Sequence, residues 1–462
     1  MQGSIRRKYS RHWFCGFVFA ACLVACGLPA PPAASAQTHS VAVANQDAPA
    51  GSRELSPKAR LEVFEKAWKE IRDRYYDPAF NGVDWNQVHA TFLPRVQAIG
   101  SDREFYELMS EMTGELHDAH TRFSSPQQWA NLKKQQHVSA GFTAEEIDGK
   151  PVITSVTPGS SAATAGTEPG MTVLSIDGQP VEERIGEIER HMQPSSSSRA
   201  SRWLVYSKLF GGALDSTLKI GLRRADGTTL EATVTRRVVS SAPEVATDVL
   251  PSGYAYIRFD GFQPHVTRQF RRALLRFRNS PGLVVDLRRN GGGDLAVLLS
   301  IAGYFYDKKT LFARDSTRSG KPLKQFAGLV RLPLKLYVAR SGDRIYSGPV
   351  VILVGPRSAS SSEVFAAGMQ DTRRAKIVGS ATCGCVLGIA KPRTMIGGGV
   401  LEISEVVWFS PLGRKLEGTG VVPDEEITPT ASDFQQKRDP ALAQAVRVLR
   451  QLGAGERRVA RD

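Results

Sequence analysis

Residues 350–363 carry the densest chemistry in the chain. Val350, Val351, Ile352 and Val354 read as a buried β-branched strand, Gly355-Pro356 breaks it, and Ser358, Ser360, Ser361 and Ser362 lead into a helical stretch from Glu363. A serine held between a strand and a helix presents its hydroxyl out of a tight turn. The first amides of the helix lie where an oxyanion would develop. The same residues, taken alone, read first as a polar turn with an N-cap serine. A second glycine-rich turn, Gly291-Gly292-Gly293, follows the apolar run Gly282-Leu-Val-Val-Asp286. Its glycines permit the close approach that a backbone donor needs. It is not a phosphate loop, because the Lys-Ser/Thr ending is missing.

Positioning these turns takes a layered α/β core. Strand-like and helical pieces alternate over residues 245–435, with strands at 254–259, 282–286, 350–354 and 376–379 and helices at 266–279 and 295–304. A C-terminal helix and tail occupy 436–462. Residues 58–135 form a helical domain in which Leu61, Phe64, Trp68 and Ile71 recur at helical spacing, followed by a helix after Asp84-Trp85 and a third at about 102–116. Residues 137–240 differ. Strands near 152–156, 172–176, 217–222 and 230–235 are separated by Gly, Asp and Pro turns and interrupted by a helix near Ala162.

Bulk properties narrow the function classes. The chain has 462 residues, enough for two or three cores, and 41% hydrophobic and 23% charged residues are ordinary values. The net charge of +14 includes Arg6, Arg7, Lys8 and Arg11, and the rest is scattered. Without basic runs interleaved with aromatics, nucleic-acid binding is not expected. Residues 1–36 read as an export signal, with an apolar stretch from about Trp13 to Leu28, and 37–57 as a flexible linker. Two processing sites compete. Ala34-Ser35-Ala36 suits ordinary cleavage, and Leu23-Val24-Ala25-Cys26 resembles a bacterial lipobox that would attach a lipidated Cys26 to the membrane. Both place the protein outside the cytoplasm, in a bacterial periplasm or anchored and facing it. Beyond the signal only Cys383 and Cys385 remain. They are too few for a zinc site, and a local disulfide and two buried thiols stay equally open. No cofactor is expected.

The ordered set FNGVDW (80–85), GELHDAHTRF (114–123), LVVDLRRNGGG (283–293), GPRSASSSEVFAAGMQD (355–371) and LEGTGVVPD (416–424) resembles the C-terminal processing (tail-specific) proteases and their tricorn-core relatives. Between the second and third lies GSSAATAGTEPGMTVLSIDGQPV, from Gly159, which resembles a PDZ domain. The resemblance implies a ClpP/crotonase-like α/β protease core with an N-terminal helical domain and an inserted PDZ-like β domain. It implies Ser360, the first serine of Ser-x-Ser-Glu, as nucleophile. The lysine that the tail-specific enzymes pair with that serine falls at Cys385 here. The tricorn-like branch uses instead a histidine and a glutamate, which match His120 and Glu417. The serine preceding that histidine is replaced by Ala119. The oxyanion hole maps to Gly292 (or Gly291) and the amide of Ser361, and the PDZ carboxylate loop to Ser139–Phe142, with Gly141 and Phe142 facing substrate.

The resemblance therefore implies an exported serine-type endopeptidase with a Ser–His mechanism. Its partner would be a protein or peptide substrate gripped by a free C-terminus through the PDZ-like domain. The alternative is a catalytically inactive peptide- or ligand-binding protein on the same fold. Bland roles exist for each residue: Ser360 as an N-cap, His120 as a partner for a helix-end carbonyl, Glu417 as a surface carboxylate paired with Arg414 or Lys415, and Asp118 as either a cap or an orienter of His120.

Overall fold

A row of branched aliphatics, Ile257, Val285, Ile352 and Ile377, runs in register across four neighbouring parallel strands. The strands are Ala255–Phe259, Leu283–Asp286, Val350–Val354 and Lys376–Gly379, extended by antiparallel Val245–Val249 at one edge and short parallel Glu425–Glu426 at the other. These belong to a computed structural model that describes residues 54–240, 245–322, 324–325, 330–331, 334–339 and 346–459. The export signal, Cys26 and nearly all of the linker lie outside the described residues. Among the described residues no helix is long and apolar enough to cross a membrane.

The apolar strand runs follow from burial on both faces. Val285, Ile352 and Ile377 point into the main core with Phe270 and Phe365, while Val284, Val351, Leu353 and Val378 meet Ala441, Ala445, Val448 and Leu449 of the Pro440–Val459 helix. The helix carrying the serine run, Ser361–Asp371, is buried along most of its length, and Phe365 packs its ring against Phe262, Phe305 and Phe312. An antiparallel four-stranded sheet lies in the same core, in the order Lys335–Val338, Thr310–Thr317, Ser404–Phe409 and Leu387–Ile389. The sequence reading does not include it.

The N-terminal helices are Pro57–Arg74, Trp85–Ala98 and Asp102–Gly114, started by the caps Ser56, Asp84 and Ser101, the last in a reciprocal box with Glu104. Phe64, Ile71, Phe105, Met109 and Met112 form their core, which also takes in Phe123, Leu401 and Ile403. Phe123 pairs with Leu401 across antiparallel strands, so the helical region is joined to the α/β core by backbone pairing. Between helix and strand the chain turns at His117, in the left-handed region at φ 54°. Asn81 Nδ2 donates to the Leu116 carbonyl at 2.8 Å and braces that turn.

The inserted domain is an antiparallel sheet in the order Phe142–Ile147, Lys150–Val156, Thr172–Ile176, Thr217–Arg223 and Thr229–Thr235. Two helices that the sequence reading lacks, Val181–Arg190 and Ser198–Phe210, cover it. Phe142 is buried edge-on against Phe210 with ring centroids 5.0 Å apart. The Phe142–Ile147 strand is outermost in its sheet.

Phe365→Ala should lower unfolding free energy by about 3–5 kcal/mol, the usual cost of emptying a buried phenyl site. Chemical denaturation checks this, and a loss below about 1 kcal/mol would show that the serine-bearing helix does not depend on this packing.

Candidate active site

Ser360 ends the strand-to-helix turn as the N-cap residue, with φ 56° and ψ −120°. A non-glycine residue in this region stores of order 1–3 kcal/mol, which only surrounding bonds sustain. Those bonds come from the other serines. Ser358 Oγ donates to the Leu287 carbonyl at 2.7 Å, Ser361 Oγ to the Gly293 carbonyl at 2.7 Å, and Ser362 Oγ lies 2.8 Å from the Asn290 carbonyl and 2.7 Å from Asn290 Oδ1. Each is buried and spent on the Leu287–Gly293 stretch, while Ser360 is partly exposed. The run thus divides into three structural hydroxyls and one placed for chemistry.

Glu363 secures the turn from the other side. Its carboxylate is fully buried and accepts from Ser360 N at 3.0 Å, Thr382 Oγ1 at 2.5 Å, Gly384 N at 2.7 Å and Cys385 N at 3.0 Å. Burial pushes its pKa up to about 7, against the four donors. Three of the four donors are backbone N–H groups, which cannot accept a carboxyl proton, and this favours the anion. The Ser360 N–H also reaches the Cys385 carbonyl at 2.9 Å. Position 385 therefore does border the candidate nucleophile. Cys383 and Cys385 are joined as a disulfide, Cα atoms 5.3 Å apart, which resolves the alternative left open by the sequence.

Gly292 packs directly on the serine turn. Its φ is +103°, and a Cβ there would lie 2.7 Å from Ser360 Cβ and 2.9 Å from the Ala359 carbonyl oxygen, so only glycine fits. Its N–H donates to Asn290 Oδ1 at 3.0 Å, whereas the N–H groups of Gly291 and Ser361 find no acceptor among the described residues.

His120 is half-buried in the segment after the His117 turn, with Nδ1 enclosed and unpartnered. Burial pushes its pKa down to about 4, opposed by the Asp118 charge and assisted by Arg122. The ring makes no hydrogen bond to Ser360 or to a helix-end carbonyl. The two segments meet through their preceding residues: Ala119 and Ala359 both pack on the small cluster of Ala200, Cys383 and Cys385. Asp118 serves the backbone rather than the ring. Its Oδ1 accepts from His120 N at 2.7 Å, Thr121 N at 2.6 Å and Ser404 Oγ at 2.9 Å.

Glu417 is buried rather than on the surface. Arg414 bonds Asp371 and Gln370 instead, which removes the surface ion pair. Glu417 Oε2 accepts from Val386 N at 2.6 Å. Burial raises its pKa to about 7, offset by hydrogen bonds from Ser196 and Val386 and reinforced by the charges of Asp118 and Glu363. Gly141, at φ +87°, donates its N–H to Ser139 Oγ at 3.1 Å, and a Cβ there would strike Ser160. The Phe142 side chain faces the domain core. The sequence reading assigned no role to Glu363, although its Ser-x-x-Glu spacing from Ser360 is a capping-box signal. It also missed Ser196, which sits in a serine run without informative spacing.

This strand–turn–helix serine on a parallel sheet, beside a glycine turn, is that of a serine-type peptidase. Residues 253–427 match the peptidase family S41 model, and 56–114 match the tricorn protease C1 domain. Over residues 253–427 the chain carries a peptidase family S41 domain, and along most of its length it is similar to the C-terminal processing peptidases. It is 26% identical to the chloroplastic C-terminal processing peptidase of Tetradesmus obliquus over 79% of this chain and 77% of that one. It is 25% identical to the carboxyl-terminal-processing protease of Synechocystis over 84% and 86%. A tricorn protease homologue of Streptomyces coelicolor is 25% identical over 86% of this chain, which spans only 33% of that longer protein. In fold, the photosystem II D1 C-terminal processing protease superposes with TM-score 0.54 at 23% identity, covering 86% of this chain and 97% of the other. Mature CPAF superposes with TM-score 0.68 at 14% identity, covering 86% and 98%.

Gly292→Ala should cost about 1–3 kcal/mol of stability through strain at positive φ and the clash with Ser360. It should also cut reaction of Ser360 with a fluorophosphonate by at least about tenfold. Wild-type values in both denaturation and labelling would show that the two turns are not in contact.

Proposed function

We propose that the chain is an exported serine-type peptidase in which Ser360 attacks the scissile carbonyl, His120 is the general base and Glu417 supports it. The observation that carries this reading is the division of the serine run, which spends Ser358, Ser361 and Ser362 on backbone carbonyls and leaves Ser360 at a strained turn. His120 removes the Ser360 hydroxyl proton as the Oγ–C bond forms, and the imidazolium returns it to the departing amine. Water then repeats the sequence on the acyl-enzyme. The Ser361 N–H at the helix start faces the developing oxyanion, joined by Gly291, or by Gly292 once its N–H leaves Asn290. The inserted PDZ-like domain presents a substrate tail along its open Phe142–Ile147 edge, by strand addition. The N-terminal segment directs the protein out of the cytoplasm, with Cys26 as the lipid-attachment point if the lipobox is used.

Labelling the full chain with a fluorophosphonate tests this. Wild type should be labelled, Ser360→Ala not at all, and His120→Ala on the order of 10⁴-fold more slowly with the fold intact by circular dichroism. Labelling of Ser360→Ala would move the nucleophile elsewhere. Absence of labelling and of peptide turnover in wild type at any pH would favour the inactive binder on this fold, a reading to which the missing Ser360–His120 hydrogen bond is congenial.

The pH dependence separates the two supporting groups. His120, held down to about 4, is already neutral and able to accept a proton in weak acid, whereas Glu417, raised to about 7, ionises only near neutrality. The labelling rate should therefore rise in two limbs, near those values. Glu417→Gln should abolish the upper limb and keep the lower. A single limb near 6.5 that survives Glu417→Gln would contradict this assignment.

A further inference from the structure

Residues 194–199, between the two helices of the inserted domain, run against both loops of the site. Ser197 Oγ donates to the Cys383 carbonyl at 2.5 Å, and Arg199 donates to the carbonyls of Thr382 at 2.5 Å and Thr419 at 2.7 Å. A Cβ on Gly384 would lie 3.2 Å from Ser197 Cβ, and one on Gly418 3.4 Å from the Ser196 carbonyl oxygen. The segment is thus packed on the residues flanking Glu417 and the disulfide. Within it, Ser196 Oγ accepts from Ala119 N at 2.9 Å, beside the 417–418 backbone, and its hydroxyl favours the Glu417 anion. A hydroxyl has one proton, and Ala119 N–H occupies a lone pair, so that proton is free to point at Glu417. The neighbouring Ser195 hydroxyl is buried without a partner, so the bonding belongs to position 196 rather than to serines in general.

We propose that Ser196 is a positioning residue for the peptidase reaction, a single hydroxyl from the inserted domain that ties Glu417 to the backbone immediately before His120. The proposal rests on the Ser–His reading given above. Two constraints meet at Ser196. The backbone N–H groups of 119, 120 and 121 are all held, the first by Ser196 and the others by Asp118, which fixes where the His120 ring begins. Glu417 is faced by Asp118 and Glu363, whose charges favour its protonation, and by the hydroxyls of Tyr75 and Tyr76. His120 is faced by Asp118 and Arg122. Only Ser196 and the Val386 N–H donate to Glu417 and favour its anion, so Ser196 sets the pH at which the carboxylate is available.

The test reads Glu417 and the reaction separately in the full chain. ¹³C NMR of labelled glutamate, with the resonance identified by its loss in Glu417→Gln, gives the Glu417 midpoint. Fluorophosphonate labelling gives the reaction rate across pH. In Ser196→Ala the midpoint should rise by about one unit, the upper limb should move with it, and labelling at pH 7 should fall about tenfold while recovering at higher pH. Ser196→Thr, which keeps the hydroxyl, should restore both. Should Ser196→Ala unfold, Ser196→Gly removes the same hydroxyl from a loop position and should show the same shift. An unchanged midpoint, or a loss equal at every pH, overturns the proposal. A wild-type chain inert to the probe overturns the peptidase reading instead, while the NMR midpoint still reports whether Ser196 holds Glu417.

Discussion

The Glu363 carboxylate is the constraint on which the site depends. It is fully buried, has no cationic partner, and is met by four donors from two segments. An anion so placed cannot lose one donor cheaply, because an unpaired buried charge costs several kcal/mol. The Ser360 turn and the 382–385 loop are therefore locked together. The positive φ of Ser360 is sustained by this lock and by the three serine bonds to the Leu287–Gly293 stretch.

The lock passes outward through Thr382. Its hydroxyl donates to Glu363 and accepts from Val421 N at 2.7 Å, while its carbonyl accepts from Arg199 of the inserted domain. The loop is thus gripped from the core on one side and from the inserted domain on the other. The residues that the inserted domain holds are one hydrogen bond from Glu363 and one from the serine turn. The N-terminal helices join by a different means. Their core shares Phe123, Leu401 and Ile403 with the strands that continue into Ser404, and Ser404 Oγ donates to Asp118. Three separately packed regions converge on a patch whose own hydrophobic cluster, Ala200 with the two cysteines, is small.

Much of this was legible in sequence where local chemistry and long-range order agree. The parallel strands announced themselves as apolar runs because both faces are covered, and the three N-terminal helices by their caps and spacing. The serine run and the glycine turn stand out by composition, whereas the choice of Ser360, Gly292 and Glu417 came from the family resemblance. What escaped has a common physical cause. The antiparallel sheet of Thr310–Thr317 with Ser404–Phe409 is paired by tertiary register, which no local pattern encodes. The helices Val181–Arg190 and Ser198–Phe210 lay within a stretch read for strands, so their helical spacing was overlooked. Burial of Glu417 away from Arg414 depends on where Asp371 ends its helix. Ser196 acts on residues far along the chain in either direction, and nothing beside it in sequence hints at them.

The electrostatics also make sense of Cys385 in place of a lysine. A lysine serves as a general base only when neutral, which requires burial away from negative charge. Here the surroundings of position 385 hold the Glu363 carboxylate on its own N–H, Glu417 on the N–H of the next residue, and Asp118 close enough to act on Glu417. Carboxylates so arranged would keep an ammonium charged and useless for proton abstraction. An imidazole tolerates the same surroundings because its ordinary pKa already lies near neutrality and burial lowers it further. In the proposed reaction the carboxylates would stabilise the imidazolium as it forms, where a lysine would have been trapped before it. On the proposed reading, a cysteine at 385 and a histidine base at 120 are two sides of one electrostatic choice, and the Cys383–Cys385 disulfide stands there without adding charge.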